Sequence, residues 1–154
     1  MRIGICTGGG DCPGLNAAIR AVVKCGVNSH GMEIIGIHDS FNGLAERPMR
    51  TKKLTPNDVV DILPRGGTIL GTYNRGDHFG GKDQEKRIKS IMSAFKELKL
   101  EALIVIGGEG TQSMAHHLVD KGLPIIGIPK TIVGRVGYQY VSSSDRYFGN
   151  SEFQ

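Results

Sequence analysis

The chain is 154 residues long, room for one ordinary domain and not comfortably for two. With 39% hydrophobic and 22% charged residues it falls outside the compositions of disordered chains and of membrane spans. Its 19 basic and 15 acidic residues leave a net charge of +4, and the cations are dispersed, which favours anionic small molecules over nucleic acid as partners.

In chain order, Arg2–Thr7 is a short apolar run that ends in glycines, the pattern of a buried strand entering a loop. Pro13-Gly14 opens a helix over Leu15–Val27, whose Ala17, Ala18, Ala21 and Val22 suit packing on a sheet, with Gly31 after its end. Glu33–Asp39 reads as a second strand. Thr55-Pro56-Asn57-Asp58 combines a hydroxyl cap, a proline at the first position and an acid in the first turn. It predicts a helix with Val59, Ile62 and Leu63 as its apolar stripe and Pro64 as its stop. In Asp83–Lys99, the residues Ile88, Ile91, Met92, Phe95 and Leu98 recur at helical spacing. Ala102–Ile106 is a continuous apolar run, expected of a strand covered on both faces. A helix follows to about Lys121, ahead of Gly122, and Pro124–Ile128 supplies a further strand.

Strands alternating with helices imply an α/β fold: a doubly wound, mostly parallel sheet, Rossmann-like and three-layered. In such sheets ligands sit at the carboxyl ends of the strands. After Ile132 the apolar periodicity is lost. Residues 133–154 hold three of the four tyrosines and read either as a polar terminal segment or as a tail foreign to the fold before it.

The 23 glycines cluster between apolar runs, marking backbone that turns sharply or comes close to something. Thr7-Gly8-Gly9-Gly10-Asp11-Cys12-Pro13-Gly14 lies between a strand and a helix, where main-chain amides and the helix N-terminus attract an anion. No Gly-Lys-Ser/Thr follows, and Pro13 takes the last glycine position of a dinucleotide fingerprint. Phosphate binding and a plain tight turn are the two readings. Gly107-Gly108-Glu109-Gly110-Thr111 repeats the context. Its amides and the Thr111 hydroxyl suit phosphate oxygens, with Glu109 as a magnesium ligand, or Glu109 and Thr111 merely cap the helix. Two such loops on one sheet favour phosphate.

In Gly66–Gly76, Arg75 beside glycines suits the charge on a transferring phosphoryl group, against the alternative of a surface arginine. Pro129-Lys130-Thr131, just past a strand end, is placed for a substrate contact. His116 and His117 are adjacent, point about 100° apart on a helix and belong to its amphipathic face rather than to one metal. Three cysteines without Cys-x-x-Cys spacing support neither a disulfide framework nor a zinc site. The N-terminus lacks the layout of a signal peptide, so a cytoplasmic location is expected.

Together and in this order the motifs resemble the phosphofructokinase family. Ile5–Val23 (ICTGGGDCPGLNAAIRAVV) is similar to its first nucleotide loop and helix. Asp39–Leu44 (DSFNGL), Arg65–Thr72 (RGGTILGT), Ile106–Thr111 (IGGEGT) and Ile128–Ile132 (IPKTI) are similar to its later landmarks. The resemblance implies the N-terminal, nucleotide-binding portion of a 6-phosphofructokinase subunit over residues 1–132. The reaction implied is phosphoryl transfer from MgATP to fructose 6-phosphate, giving fructose 1,6-bisphosphate, a glycolytic step performed by homo-oligomers.

By resemblance, Gly9 and Gly10 approach the nucleotide phosphates, and Gly108, Glu109, Gly110 and Thr111 form the second nucleotide loop. Gly110 stands where glycine accompanies ATP and aspartate accompanies pyrophosphate, while Lys130 is also seen in pyrophosphate users. The family's loop arginine follows Gly-Thr/Ser by one residue. Here either Asn74 holds that position or Arg75 is displaced by one. Thr131 matches a substrate-contacting threonine, and Arg20 and Lys24 match effector positions of some members.

Three departures bear on activity. The family reads Thr-Ile-Asp-Asn-Asp, its first aspartate being the base, where this chain has Thr131-Ile132-Val133-Gly134-Arg135. Valine accepts no proton, and loss of a positioned base costs about 10²–10⁴ in rate. Glu109 replaces the magnesium-linked aspartate with one methylene more. The family's second α/β domain, which completes the sugar-phosphate site, has no counterpart in these residues. Resemblance ends at Ile132, and a frameshift or a rearranged gene would produce such a switch. Three outcomes are expected of this sequence: an impaired ATP-dependent enzyme, a non-catalytic nucleotide-binding remnant or regulatory partner, and, disfavoured by Gly110, a pyrophosphate-dependent enzyme.

Overall fold

The apolar runs become the strands of one sheet. The computed structural model describes residues 1–73, 84–130, 138–141 and 146–149, the last two stretches by backbone alone. The elements are β1 (Arg2–Gly8), α1 (Leu15–His30), β2 (Glu33–Ile37), α2 (Asn42–Ala45), β3 (Thr51–Leu54), α3 (Gln84–Glu97), β4 (Ala102–Gly107), α4 (Glu109–Asp120) and β5 (Ile125–Pro129). A separate antiparallel ribbon pairs β6 (Tyr138–Val141) with β7 (Arg146–Gly149).

The five-stranded sheet has the order β3-β2-β1-β4-β5. All its pairings are parallel except that of β3 with β2. The chain winds outward from β1 through β2 to β3, then resumes on the other flank with β4 and β5. The winding therefore reverses between β1 and β4, the place where open α/β sheets form a ligand crevice.

Strand alternation divides the apolar side chains between two layers. On one face Ile3, Ile5, Ile34 and Ile106 pack with Leu15, Ile19 and Val23 of α1 and with Val59 and Ile62. On the other, Cys6, Ile35, Leu103 and Val105 pack with Ile91 and Phe95 of α3 and with Met114 and Leu118 of α4. Helix, sheet and helix form the three layers that the sequence pattern implies. β5 is an outer strand, and Ile126 on it is 58% exposed.

One local expectation is corrected. The helix from Thr55 is a single 3-10 turn, Pro56–Val59. Asp58 accepts from both the amide and the hydroxyl of Thr55, at 2.8 and 2.6 Å, closing the capping box around one turn. The turn ends at Val59, and the chain beyond it buries Ile62 and leaves Leu63 54% exposed. The basic stretch Arg50–Lys53 leads into and forms part of β3, an antiparallel edge strand whose Lys52 and Lys53 point to solvent and discourage further pairing.

Candidate functional site

Three parallel strands end level with one another. Gly8 of β1 pairs with Gly107 of β4, and Gly107 with Pro129 of β5, so their loops leave the sheet side by side. Gly8 and Gly107 are glycines for a packing reason. A Cβ on Gly8 would lie 2.6 Å from Thr111 Oγ1, and one on Gly107 would lie 2.5 Å from Thr111 Cβ. Thr111 thus fills the notches of both residues and pins the first turn of α4 to the strand ends. Gly108 occupies the N-cap with no side-chain cap, so neither Glu109 nor Thr111 caps the helix.

Gly9 is different: its φ of +76° lies where a side chain is strained, and it faces donors. The point a Cβ would occupy there is 3.5 Å from the amide nitrogen of Gly108, 3.5 Å from the Lys130 ammonium and 3.7 Å from Thr111 Oγ1. Lys130 is anchored by its own amide, which donates to Gly107 O at 3.0 Å. An amide, an ammonium and a hydroxyl therefore converge beside the N-terminus of a twelve-residue helix. Partial positive charge from the helix and full charge from Lys130 suit an anion's oxygen atoms. Gly10 is half-buried beside them, Glu109 and Gly110 are exposed, and a Cβ on Gly110 would meet nothing within 4 Å.

The loop Arg65–Thr72 is tied to this crevice by two residues to which the sequence reading assigned no role. Asn16, 2% exposed in the first turn of α1, donates to the carbonyls of Arg65 at 3.1 Å and Gly66 at 3.3 Å. It also accepts from the Ile69 amide at 2.8 Å. Thr7 lies 2.9 Å from the Thr68 hydroxyl and donates to Gly71 O at 2.7 Å. A signal for Asn16 was present: it shares the buried stripe of α1 with Ile19 and Val23, and a polar side chain there needs partners.

Among the described residues no group of three or more His, Cys, Asp or Glu is arranged to hold a metal. Glu109, exposed at the mouth of the α4 loop, is the sequence-chosen ligand there. Magnesium ordinarily needs only one or two carboxylates beside substrate phosphates, which one such residue fits. His116 Nε2 lies 3.9 Å from Asp120 Oδ2, and His117 Nδ1 is 3.2 Å from Ser113 O, contacts local to α4. Burial pushes the Cys6 thiol up to about 12, so it is no nucleophile. Asn74, Arg75, Thr131 and Val133 lie outside the described residues. No helix among the described residues is long and apolar enough to cross a membrane.

The family model described as Phosphofructokinase matches residues 2–138. The chain belongs to the phosphofructokinase family. The match runs past Ile132, so the departure at Val133 lies inside the matched span. An ATP-dependent 6-phosphofructokinase of Chloroflexus aggregans is 49% identical over 97% of this chain and 41% of its own length. A pyrophosphate–fructose 6-phosphate 1-phosphotransferase of Amycolatopsis methanolica is 44% identical over 86% of this chain and 37% of its own. The chain thus spans about two fifths of these phosphofructokinases. In three dimensions it resembles Pichia pastoris phosphofructokinase in the T-state, with a TM-score of 0.77 and 28% identity over 86% of this chain and 15% of that one.

Proposed function

We propose that this chain binds the phosphates of a phosphoryl donor and takes part in 6-phosphofructokinase chemistry, the transfer from MgATP to fructose 6-phosphate that gives fructose 1,6-bisphosphate. The observation that carries the reading is the convergence of Gly108 N, Lys130 Nζ and Thr111 Oγ1 beside Gly9. Gly9 and Gly10 let the donor come close, the Gly108 amide and the Lys130 ammonium hold its phosphate oxygens, and Asn16 and Thr7 fix the neighbouring loop. By the family resemblance, Arg75 or Asn74 is assigned to the charge of the transferring group, and Lys130 and Thr131 are assigned to contact with the sugar phosphate. When bound, magnesium neutralises charge on the phosphates, with Glu109 as its protein ligand.

ATP is the donor favoured by Gly110 and by the name of the more similar Chloroflexus relative. The Amycolatopsis relative supports pyrophosphate as the second reading, together with Lys130. Residues 1–132 are the nucleotide-binding unit. Val133 at the position of the base gives low turnover, and nucleotide binding without catalysis is the corresponding non-enzymatic reading.

The test is titration of the purified chain with MgATP, with thermal denaturation and fructose 1,6-bisphosphate formation followed in one sample. At a hundredfold excess over Kd, binding adds about 2.7 kcal/mol, on the order of 5–10 °C in Tm for a chain of this size. A thermal shift with little product is the expected result. No shift with MgATP or magnesium pyrophosphate would refute the site, and turnover like that of an ordinary kinase would refute the role given to Val133.

A further inference from the structure

Five polar side chains are buried among the described residues, and they divide into two kinds. Thr7, Asn16 and Asn42 are hydrogen-bonded within the protein. Ser40 and Thr111, 4% and 5% exposed, make no side-chain hydrogen bond among the described residues. Both unpaired hydroxyls face the same place. A Cβ on Gly8 would lie 2.7 Å from Ser40 Oγ and 2.6 Å from Thr111 Oγ1. Thr111 Oγ1 also looks toward Gly9, where Gly108 N and Lys130 Nζ converge. The two hydroxyls therefore continue the cationic cradle toward the end of β2.

Ser40 is held there against its backbone preference. Asp39 and Ser40 are consecutive residues with φ of 54° and 60°, in the left-handed region that side chains disfavour. The surroundings impose the turn: the Asp39 amide donates to Leu70 O at 2.8 Å, and Arg50 Nη1 pairs with Asp39 Oδ2 at 3.0 Å. Glycine would make the same turn without strain. A serine in its place, strained and with its hydroxyl unpartnered among the described residues, points to a hydroxyl available to something outside the protein.

We propose that Ser40 Oγ, beside Thr111 Oγ1, binds a phosphate oxygen of the donor, which makes Ser40 a donor-binding residue of the crevice. This rests on the phosphate reading of the crevice given above. Ser40 joins the cradle from β2, so the donor is gripped by loops on both sides of β1.

Calorimetric titration of the 154-residue chain and of its S40G and S40A variants with MgATP and with magnesium pyrophosphate tests it, with ligand-free Tm measured in parallel. S40G removes the hydroxyl and the strain, whereas S40A removes the hydroxyl alone. Both variants are expected to bind both ligands about tenfold more weakly, while the Tm of S40G equals or exceeds that of the parent. Affinity and stability then move apart, which a merely structural serine does not do. Unchanged affinity in both variants overturns the role of Ser40 and leaves the donor site standing. Weaker MgATP binding with unaltered pyrophosphate binding overturns the phosphate contact by moving it to the nucleoside. Loss in S40A but not in S40G overturns it too, because strain and not the hydroxyl would be responsible. If the parent chain binds neither ligand, the crevice reading fails and this inference with it.

Discussion

The two ends of the sheet are built on opposite terms. At the end of the sheet where the parallel strands begin, the charges of Met1, Arg2, Glu33, Lys53 and Glu101 answer one another. Glu33 takes both Arg2, at 2.7 Å, and Lys53, at 2.5 Å, while Glu101 faces the Met1 ammonium at 3.5 Å and the Arg2 amide at 2.8 Å. At the carboxyl ends of β1, β4 and β5 the Lys130 ammonium has no carboxylate partner among the described residues, and two hydroxyls are unpaired. One end satisfies itself. The other keeps positive charge and polar atoms unspent, which in a folded protein signals a site completed by something from outside.

The comparison breaks most readily at Lys130. Lys130→Ala is expected to weaken MgATP binding by about 10- to 100-fold, the range of a charge-assisted contact, with Tm nearly unchanged. Parallel loss of Tm would mean that Lys130 belongs to the self-satisfied kind. Asn16→Ala should do the reverse. It strands the Arg65 and Gly66 carbonyls and the Ile69 amide, costing about 1–3 kcal/mol, and chemical denaturation would show the loss before any ligand is added. A denaturation midpoint equal to that of the parent would remove Asn16 from the supports of the crevice. Gly107→Ala drives a methyl group into Thr111 and should cost about 1–3 kcal/mol by overpacking. Its donor affinity should fall as well, since the α4 turn must shift.

The smallest effect belongs to the amino end. Hydrogen bonds from Lys53 and then Arg2 hold the Glu33 carboxyl at about 2, below its ordinary 4.5. The folded value being the lower, the stabilisation is complete above about 4.5 and is lost as the pH falls through about 2. Asp58, lowered first by Lys52 and then by Thr55, acts in the same direction. Glu33→Gln should flatten part of this acid limb in pH-dependent denaturation and change little at neutral pH, as for other exposed pairs. A large loss at neutral pH would show that the ion pairs do more than close the sheet end.

The legible parts of the fold were those where period and punctuation agree. β1, β4, β5, α1 and α4 carry apolar runs or stripes bounded by glycine or proline, and the structure places them within a few residues of expectation. β3 was hidden because an edge strand with Lys52 and Lys53 outward looks like a charged loop. Thr55–Asp58 carried a true cap but no helix beyond it, since a cap describes only the first turn. In the crevice, the glycine loops were legible as candidate phosphate loops and Lys130 as a candidate substrate contact, but which glycine stands beside the converging donors and which serves packing was not. Gly8, Gly9 and Gly107 look alike in sequence and differ only in what lies opposite them. Asn16 and Ser40 escaped for the same reason: their meaning lies in contacts with residues distant along the chain.

The wedge of Thr111 into Gly8 and Gly107 has a consequence for how such a sequence can change. A methyl group gained at Gly107 must be matched by atoms lost at position 111, and one gained at Gly8 by atoms lost at both 111 and 40. Positions about a hundred residues apart along the chain are thus coupled by volume.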